Sequence, residues 1–224
     1  MAISTTNDSP PIAGIVVAGG SSRRLGTDKR KLRLWGDEGP TLLEHTVGIL
    51  ADLCTEIIVV LNDPEQWQDL PAQLLCDCYA DAGALGGIYS GLAAISTAHA
   101  LVVAADLPFL NRELLQAMIA LPRDYDVLVP PASQPNKTRN RDGLETLHAI
   151  YSKTCLPPMQ HLLEQDERRI TAVFSHVTTI TLMSDYVKSF DPLGRAFLNI
   201  NTPEELIIAQ KHIQNSSKEP DDSP

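Results

Sequence analysis

Residues 14–29 have the sequence GIVVAGGSSRRLGTDK, in which an apolar segment leads directly into two glycines, two serines and a group of cations. Such a segment is typical of the first strand of an α/β sheet and the loop that follows it. Because glycine lacks a Cβ, the backbone N–H groups of Gly19 and Gly20 can approach a phosphate closely. Arg24 and Lys29 add full positive charge, arginine as a planar fork and lysine as a point charge. The stretch therefore predicts a phosphate-binding loop.

The spacing of this loop and the charge of the chain exclude several classes of protein. The glycines match neither the G-x-G-x-x-G pattern of dinucleotide oxidoreductases nor the G-x-x-x-x-G-K-[ST] pattern of Walker-type NTPases. The net charge of −10, from 28 acidic and 18 basic residues, argues against general nucleic-acid binding. Within the eleven residues 23–33, however, Asp28 is the only acid. The same segment contains six basic residues, Arg23, Arg24, Lys29, Arg30, Lys31 and Arg33. We predict a local anion site, and the alternative is a glycine turn followed by a solvated basic segment.

Strand-like and helix-like segments alternate along the rest of the chain. The strand-like runs EIIVVLN and HALVVAAD are apolar throughout, as expected when helices cover both faces of a parallel sheet. We predict an α/β fold with a three-layer, doubly wound, mostly parallel sheet, forming a single domain over residues 12–212. The segments 1–11 and 213–224 are rich in Ser, Pro, Asp and Asn and are expected to be disordered tails.

The composition indicates a cytoplasmic protein without a membrane segment. No run approaches the roughly 18 uninterrupted apolar residues of a membrane span, and the N-terminal residues lack a signal-peptide pattern. Four cysteines are too few for the disulfide framework of a small secreted domain. Cys76 and Cys78 form a C-x-C for which metal binding is one interpretation. Burial of both in an alternating strand, LLCDCYA, is the interpretation that we favour.

Asp106 follows the apolar run LVVAA and precedes LPFL. An apolar strand thus delivers one carboxylate to the carboxyl edge of the sheet, where doubly wound folds bind their ligands, and Pro108 prevents the strand from continuing. Mg²⁺ typically binds through one or two carboxylates together with substrate phosphates. We predict that Asp106 is a Mg²⁺ ligand, and the alternatives are a helix cap or a surface acid.

Residues 17–29, VAGGSSRRLGTDK, closely resemble the L-A-G-G-x-S-x-R-M-G-x-D-K signature of the nucleotidyltransferases that handle sugar phosphates and the molybdenum cofactor. Asp106 and Pro108 match the C-D-x-P-x-L motif of the same proteins. The resemblance implies the Rossmann-like nucleotide-diphospho-sugar transferase fold, with Mg²⁺ as cofactor. It assigns catalytic roles to Arg24, Lys29 and Asp106. It implies an NTP site formed by Val17, Ala18, Gly19, Gly20, Lys29 and Asp106, with the backbone of the first two near the base.

A second motif, DAGALGGIYSGL at residues 81–92, is similar to G-P-L-A-G-I-x-x-G-L in these proteins. Ala84 stands where the family usually has proline, which loosens the turn without removing a functional group. Alignment with the family makes Asp77 the acid associated with GTP, because a carboxylate can accept hydrogen bonds from guanine N1–H and N2–H₂ or from ribose. Asp81 is the alternative for that role. The small residues are expected to let the loop and helix approach the nucleotide.

Two C-terminal segments resemble molybdenum cofactor guanylyltransferases in particular. LETLHAIYS at residues 144–152 resembles P-E-P-L-H-A-L-Y, and FLNINTPEEL at residues 197–206 resembles F-x-N-[IV]-N-T-P-E-[DE]-L. Related cytidylyltransferases usually carry Asp-x-Asp in place of Asn199 and Asn201. The resemblance implies acceptor-binding roles for Asn199, Asn201 and Glu145. His148 is expected to be a packed residue rather than an acid or base.

The activity implied by the resemblance is transfer of GMP from GTP to molybdopterin or the molybdenum cofactor, with release of pyrophosphate. It also implies two kinds of protein partner, proteins that deliver the cofactor and molybdoenzymes that receive the product. Alternatives are a cytidylyltransferase for the same cofactor, a sugar-1-phosphate nucleotidyltransferase, or a non-catalytic protein that binds nucleotide or cofactor. A polar loop at residues 132–143 carries three further cations, Lys137, Arg139 and Arg141, which are a candidate site for the acceptor phosphate.

Overall fold

The computed structural model describes residues 10–19, 25–79, 81–132 and 142–216. Seven strands within these ranges form one sheet in the order β3-β2-β1-β4-β6-β5-β7. They are β1 (Ala13–Val17), β2 (Glu56–Val60), β3 (Gln73–Leu75), β4 (His99–Ala104), β5 (Val127–Val129), β6 (His148–Ser152) and β7 (Thr179–Thr181). β6 runs antiparallel to β4 and β5, and the other neighbouring pairs are parallel. The predicted α/β fold with a mostly parallel sheet is confirmed.

Six α-helices connect these strands in the described part of the chain. They are α1 (Leu42–Ala51), α2 (Gly83–Ala94), α3 (Arg112–Ala120), α4 (Leu156–Glu164), α5 (Ser184–Phe190) and α6 (Pro203–Ser216). Four short 3₁₀ helices lie at Lys29–Lys31, Pro64–Gln66, Lys153–Cys155 and Ile170–Ser175. No helix of the described ranges combines the length and apolar character that a bilayer crossing requires.

The sheet separates two hydrophobic cores, which accounts for its continuous apolar strands. Val16 of β1 belongs to the core shared with α1, α3 and α5, whereas Ile15 and Val17 belong to the core shared with α2 and α4. Both faces of β1 are therefore covered by helices, as the continuous apolar runs of β2 and β4 predicted for the sheet. A smaller cluster of Leu34, Leu42, Ile200 and Ala209 packs α6 against the segment that follows the phosphate loop.

The chain leaves the sheet earlier after β3 than the sequence predicted. β3 ends at Leu75, and both Cys76 and Cys78 are exposed, so the expectation that they are buried in a strand was wrong. The physical reason is a competing hydrogen bond, since the Cys78 amide donates to the Ser90 hydroxyl of α2 at 2.8 Å instead of joining a strand ladder.

The domain bounds of 12 and 212 stay a prediction, and contacts of the chain extend a short way beyond both. The Pro11 carbonyl accepts a hydrogen bond from Arg123 at 3.1 Å, so ordered structure includes residues before 12. At the other end α6 continues to residue 216, because Ile213 still packs against the cluster around Ile200. Residues 1–9 and 217–224 of the predicted tails lie outside the described residues.

Candidate active site

Three loops of different origin meet at the carboxyl edge of the sheet. Gly19 follows β1, Asn62 follows β2, and Asp106 follows β4. The Ala105 amide donates to the Val17 carbonyl at 3.2 Å, which holds the segments after β1 and β4 side by side. In a doubly wound sheet this edge is where ligands bind, because the loops of adjacent parallel strands converge there.

Polar contacts at this edge join Lys29, Asp106 and Asn201, which we call the Asp106 cluster. The Lys29 ammonium lies 2.5 Å from Asp106 Oδ2 and 3.0 Å from Asn201 Oδ1. The Lys29 and Asp106 side chains are only 19% and 13% exposed. Lys29 is 77 positions from Asp106 and 172 positions from Asn201 in the sequence. The fold therefore brings a cation, a carboxylate and an amide oxygen together.

Lys29 is positioned by a short, tightly held helix. The Asp28 side chain caps this 3₁₀ helix by accepting from the Arg30 amide at 3.0 Å. The Arg30 guanidinium also bridges Asp28 and Asp63 and lies over the ring of Trp67 at 5.4 Å. The hydrogen bond from Arg30 lowers the pKa of the Asp28 carboxyl, so the bridge is ionised at neutral pH. Arg30 thus anchors the loop instead of facing a ligand.

Asn201 is positioned by the start of α6. The Ile200 amide donates to the Asp106 carbonyl at 3.0 Å, which ties the two segments together. The Asn201 amide donates to the Glu205 carboxylate at 2.7 Å. The Thr202 amide donates to the same carboxylate at 3.1 Å, and the Glu205 amide donates to the Thr202 hydroxyl at 3.2 Å. This reciprocal cap fixes the backbone around Asn201. Its side-chain Nδ2 is buried and has no hydrogen-bond partner among the described residues, so Asn201 is a candidate donor to a ligand.

The donor set of the Asp106 cluster fits a Mg²⁺ ion that is bound together with a phosphate ligand. The described residues contain no group of three or more His, Cys, Asp and Glu that could hold a metal ion by themselves. Asp106 Oδ2 and Asn201 Oδ1 offer two hard oxygen ligands, and Mg²⁺ usually takes its remaining ligands from phosphates and water. A site of this kind binds metal well only when the phosphates are present.

The backbone at the end of β1 is partly used by the sheet. The Val17 carbonyl accepts from Ala105, and the Ala18 amide donates to the Val60 carbonyl at 2.8 Å. This leaves the Ala18 carbonyl and the Gly19 amide, which have no hydrogen-bond partner within the part of the chain that the structure describes. Gly20 and Arg24, which the sequence also assigned to this loop, lie outside the described residues.

A second acid, Asp77, lies after β3 and faces the first turns of α2. Its Oδ1 accepts from the Tyr79 amide at 3.0 Å and from the Ser90 hydroxyl at 2.9 Å. A Cβ added to Gly86 would lie 2.7 Å from Asp77 Oδ2, so the carboxylate packs directly on the helix backbone. The alternative acid, Asp81, is exposed and has a left-handed backbone with φ of 56°.

Comparison with protein families gives an independent assignment. Residues 14–179 match the model of the MobA-like NTP transferase domain. The chain belongs to this family. It is 42% identical over 202 residues to a Chloroflexus aggregans protein named "Probable molybdenum cofactor guanylyltransferase", covering 90% of this chain and 95% of that protein. It is 31% identical over 204 residues to a Desulfosudis oleivorans protein named "Molybdenum cofactor guanylyltransferase", covering 91% and 96%.

Solved structures support the fold of this MobA-like domain. The molybdopterin-guanine dinucleotide biosynthesis protein A of Archaeoglobus fulgidus superposes with a TM-score of 0.75 at 23% identity, covering 91% of this chain and 100% of that one. The 2-C-methyl-D-erythritol 4-phosphate cytidylyltransferase of Thermus thermophilus superposes with a TM-score of 0.66 at 18% identity, covering 90% and 98%. The chain therefore has the Rossmann-like nucleotidyltransferase fold that its sequence predicted.

Most of the close contacts made by the glycines of α2 are with the sheet. A Cβ on Gly87 would lie 3.0 Å from Val17, and a Cβ on Gly91 would lie 2.6 Å from Ile15. These two glycines therefore let the helix approach β1, whereas the expectation from sequence was an approach to the nucleotide. Only Gly86, which faces Asp77, borders the candidate site in this way.

Three other predicted residues have distinct environments. His148 is 1% exposed and packs edge-on against Phe197, with ring centroids 4.8 Å apart. This burial confirms the expectation of a packed residue, and it lowers the pKa of His148 to about 3. Glu145 lies at the same edge of the sheet, where its amide donates to the Pro130 carbonyl at 2.9 Å. Asn199 is half-buried and does not join the Asp106 cluster. Lys137, Arg139 and Arg141 lie outside the described residues.

Sequence reasoning missed Asn62 as a candidate site residue. Its Oδ1 would lie 3.8 Å from a Cβ on Gly19, so it borders the phosphate loop. Asn62 is the first polar residue after the apolar run IIVVL of β2, as Asp106 is after LVVAA. The rule that the first polar residue beyond a buried parallel strand faces the ligand edge would have identified both.

Proposed function

We propose that this MobA-like domain transfers GMP from GTP to molybdopterin or the molybdenum cofactor, releasing pyrophosphate and forming the guanine dinucleotide cofactor. The observation that carries the proposal is the Asp106 cluster beside the loop at Gly19, which joins a phosphate-binding cation to oxygen ligands for Mg²⁺. The names of the relatives and the family assignment support the choice of guanylyl transfer.

The chemistry asks the protein mainly to position two anions. A terminal phosphate oxygen of the acceptor attacks the α-phosphorus of GTP in line, a new P–O bond forms, and the bond to the β-phosphate breaks. This oxygen is already ionised near pH 7, so the step needs little help from a general base. His148, buried and neutral, fits this scheme because it is packed below the surface and takes no part in proton transfer.

Lys29 has two partners in this mechanism. In the free protein its ammonium neutralises Asp106, and on nucleotide binding it transfers to the triphosphate oxygens, which frees the carboxylate for Mg²⁺. The bound ion would supply charge neutralisation at the α-phosphate and the leaving pyrophosphate. Gly19 would offer its amide to the same phosphates, and Asn201 would keep its Oδ1 directed at the cation position.

Asp77 is suited to the base end of the nucleotide. Its Oδ2 receives no hydrogen bond from another described residue, so it can accept from the N1–H and N2–H₂ groups of guanine. Asn199 and Glu145 lie at the same edge of the sheet and remain the candidates for the acceptor side. Arg24 is proposed to add charge to the triphosphate, as the family signature implies.

The proposal is tested by measuring pyrophosphate release with each of the four NTPs and a source of molybdopterin. GTP is expected to give the highest rate. Preference for CTP would instead make the protein a cytidylyltransferase, and turnover with hexose 1-phosphates would make it a sugar nucleotidyltransferase. Nucleotide binding without pyrophosphate release from any NTP would favour a non-catalytic binding protein.

A further inference from the structure

The carboxylate of Asp77 is held asymmetrically by α2 and its own loop. Oδ1 accepts two hydrogen bonds, from the Tyr79 amide and the Ser90 hydroxyl, whereas no group of the described ranges donates to Oδ2. A carboxylate oxygen has about two lone-pair directions, so Oδ1 is saturated. One oxygen of the acid is therefore used to fix its orientation, and the other is left for a ligand.

Ser90 is the rigid member of this arrangement. It is 2% exposed and lies on the face of α2 that packs against β1 through Gly87 and Gly91. Its hydroxyl accepts from the Cys78 amide at 2.8 Å while it donates to Asp77 at 2.9 Å. A single side chain thus holds both the backbone after β3 and the carboxylate, although Asp77 and Ser90 are 13 positions apart.

Gly86, one turn before Ser90 on α2, also packs against Asp77. Gly86 faces both carboxylate oxygens, and an added Cβ there would approach them to 2.9 and 2.7 Å. The carboxylate is consequently held against one face of α2 by the backbone at Gly86 and the Ser90 hydroxyl. Rotation about the side-chain bond of Asp77 would break the hydrogen bond to Ser90, so this hydroxyl sets the direction of Oδ2.

We infer that Ser90 is a positioning residue for base selection, which directs Asp77 Oδ2 toward the N–H donors of the purine. The inference rests on the proposed function and adds a residue outside the nucleotide contacts themselves. Inosine triphosphate is the sharpest probe, because it keeps the N1–H of GTP and lacks only the 2-amino group. If Oδ2 is fixed, the protein prefers GTP over this analogue, and the preference depends on Ser90.

The test compares Ser90→Ala with the wild-type protein in turnover of GTP and inosine triphosphate. The expected result is a KM for GTP raised about tenfold, the loss typical of one hydrogen bond to a charged group, with kcat and the acceptor KM unchanged. The ratio of kcat/KM for GTP to that for inosine triphosphate should fall toward one. Ser90→Cys, which retains a weak donor of similar size, should restore part of the preference.

A matched control is Thr46→Val, which also removes a buried helix hydroxyl. The Thr46 hydroxyl donates only within α1, to the Leu42 carbonyl at 2.9 Å, and the residue is fully buried. This variant should keep the wild-type preference for GTP. An equal loss of preference in Thr46→Val and Ser90→Ala would overturn the inference, because general loosening of the fold would then explain it.

A double-mutant cycle separates positioning from structure. Asp77→Asn should remove most of the preference for GTP, and adding Ser90→Ala to it should cause no further loss, because Ser90 acts through Asp77. Additive losses, or a wild-type protein that does not distinguish the two nucleotides, would overturn the inference. Calorimetric dissociation constants for both nucleotides keep the test independent of turnover. Failure of the proposed function would instead be seen as absent pyrophosphate release in the wild-type protein.

Discussion

Asp106 and Asp77 lie at the same edge of the sheet, yet their carboxylates have opposite kinds of partners. Asp106 is paired with the full charge of the Lys29 ammonium at 2.5 Å. Asp77 receives hydrogen bonds from neutral donors only, a backbone amide and a hydroxyl. A charged partner cancels the charge of an acid, whereas neutral donors orient it and leave it negative.

The difference indicates what each acid is prepared to bind. Asp106 already contacts a cation, so it can exchange the ammonium for a metal ion without a large change in local charge. Asp77 keeps one oxygen available as a hydrogen-bond acceptor, which suits the N–H groups of an uncharged base. In the proposed mechanism, Asp106 therefore serves the phosphate end of the nucleotide and Asp77 serves the base end.

The largest expected effect comes from removing the charge of Asp106. Asp106→Asn should leave the fold intact and lower kcat for pyrophosphate release by at least about a hundredfold, because Mg²⁺ would lose its charged ligand. Asp52→Asn is the matched control. Asp52 forms an exposed ion pair with Arg112, and the proposed mechanism gives it no role. Near-normal turnover in Asp106→Asn would remove this acid from the mechanism.

Replacing Lys29 tests the exchange of cations at the Asp106 cluster. Lys29→Met should weaken GTP binding by about 10- to 100-fold, as expected for one lost charge-assisted contact, and should weaken GMP binding less. It should also strengthen binding of Mn²⁺ in the absence of nucleotide, at least about threefold, because the competing ammonium is gone. Calorimetry and electron paramagnetic resonance of free Mn²⁺ measure these two quantities.

Lys31→Met is the control for the Lys29 experiment. Lys31 belongs to the same 3₁₀ helix but donates to Gln66 at 2.7 Å on the surface. Its replacement should leave Mn²⁺ binding and the difference between GTP and GMP unchanged. Equal losses for GTP and GMP in Lys29→Met would show that Lys29 does not contact the terminal phosphates.

Asp77→Asn should change the selectivity for the nucleotide base and leave the affinity for the metal ion unchanged. We expect the preference for GTP over inosine triphosphate to fall by about tenfold, because an amide carries no charge and its single oxygen is needed for the hydrogen bonds from Tyr79 and Ser90. Mn²⁺ affinity without nucleotide should match that of the wild-type protein. A change of Mn²⁺ affinity equal to that in Asp106→Asn would erase the distinction between the two acids.

The smallest expected effect concerns the stability of the fold. His148 tests whether the pH dependence of unfolding comes from a residue other than Asp106 and Asp77. Its folded pKa of about 3 lies below the ordinary value of 6.5, so the unfolded chain binds the proton first as pH falls. Stability from this group is complete above pH 6.5 and decreases below it, by about 2 kcal/mol at pH 5.

Urea unfolding at pH 7 and pH 5 measures the contribution of His148. His148→Leu should lose less stability between these pH values than the wild-type protein, and the exposed His176→Gln should behave like the wild type. The pH profile of turnover between 6 and 8 should keep its shape in both variants. An identical pH dependence of unfolding in His148→Leu would contradict the neutral, buried state of this histidine.

Much of the fold could be predicted because its strands carry a strong local signal. The apolar runs around Ile15, Ile58 and Val102 are buried on both faces, and their carboxyl ends carry the polar residues of the site. The antiparallel direction of β6 could not be predicted, because the pairing of strands depends on contacts between distant parts of the chain. The early end of β3 likewise depends on Ser90, which lies on another element.

Sequence patterns can identify the candidate residues of a site but not the contacts between them. Lys29 and Asp106 were identified from motif and position, but their ion pair joins residues 77 positions apart. Local pattern gives no sign that Asn201 shares the same cation or that Arg30 turns away to bind Asp28 and Asp63. Three-dimensional packing decides which described cation of the basic cluster joins Asp106.

The most direct test of the account is a crystal structure with Mn²⁺ and a GTP analogue that has a methylene bridge between the α- and β-phosphates. We expect an anomalous Mn²⁺ peak about 2 to 2.5 Å from an Asp106 oxygen, with the triphosphate along Gly19 and the Lys29 ammonium moved onto it. The base should contact Asp77. A metal ion and triphosphate bound away from Asp106 and Gly19, with the Lys29 pair to Asp106 intact, would contradict the account.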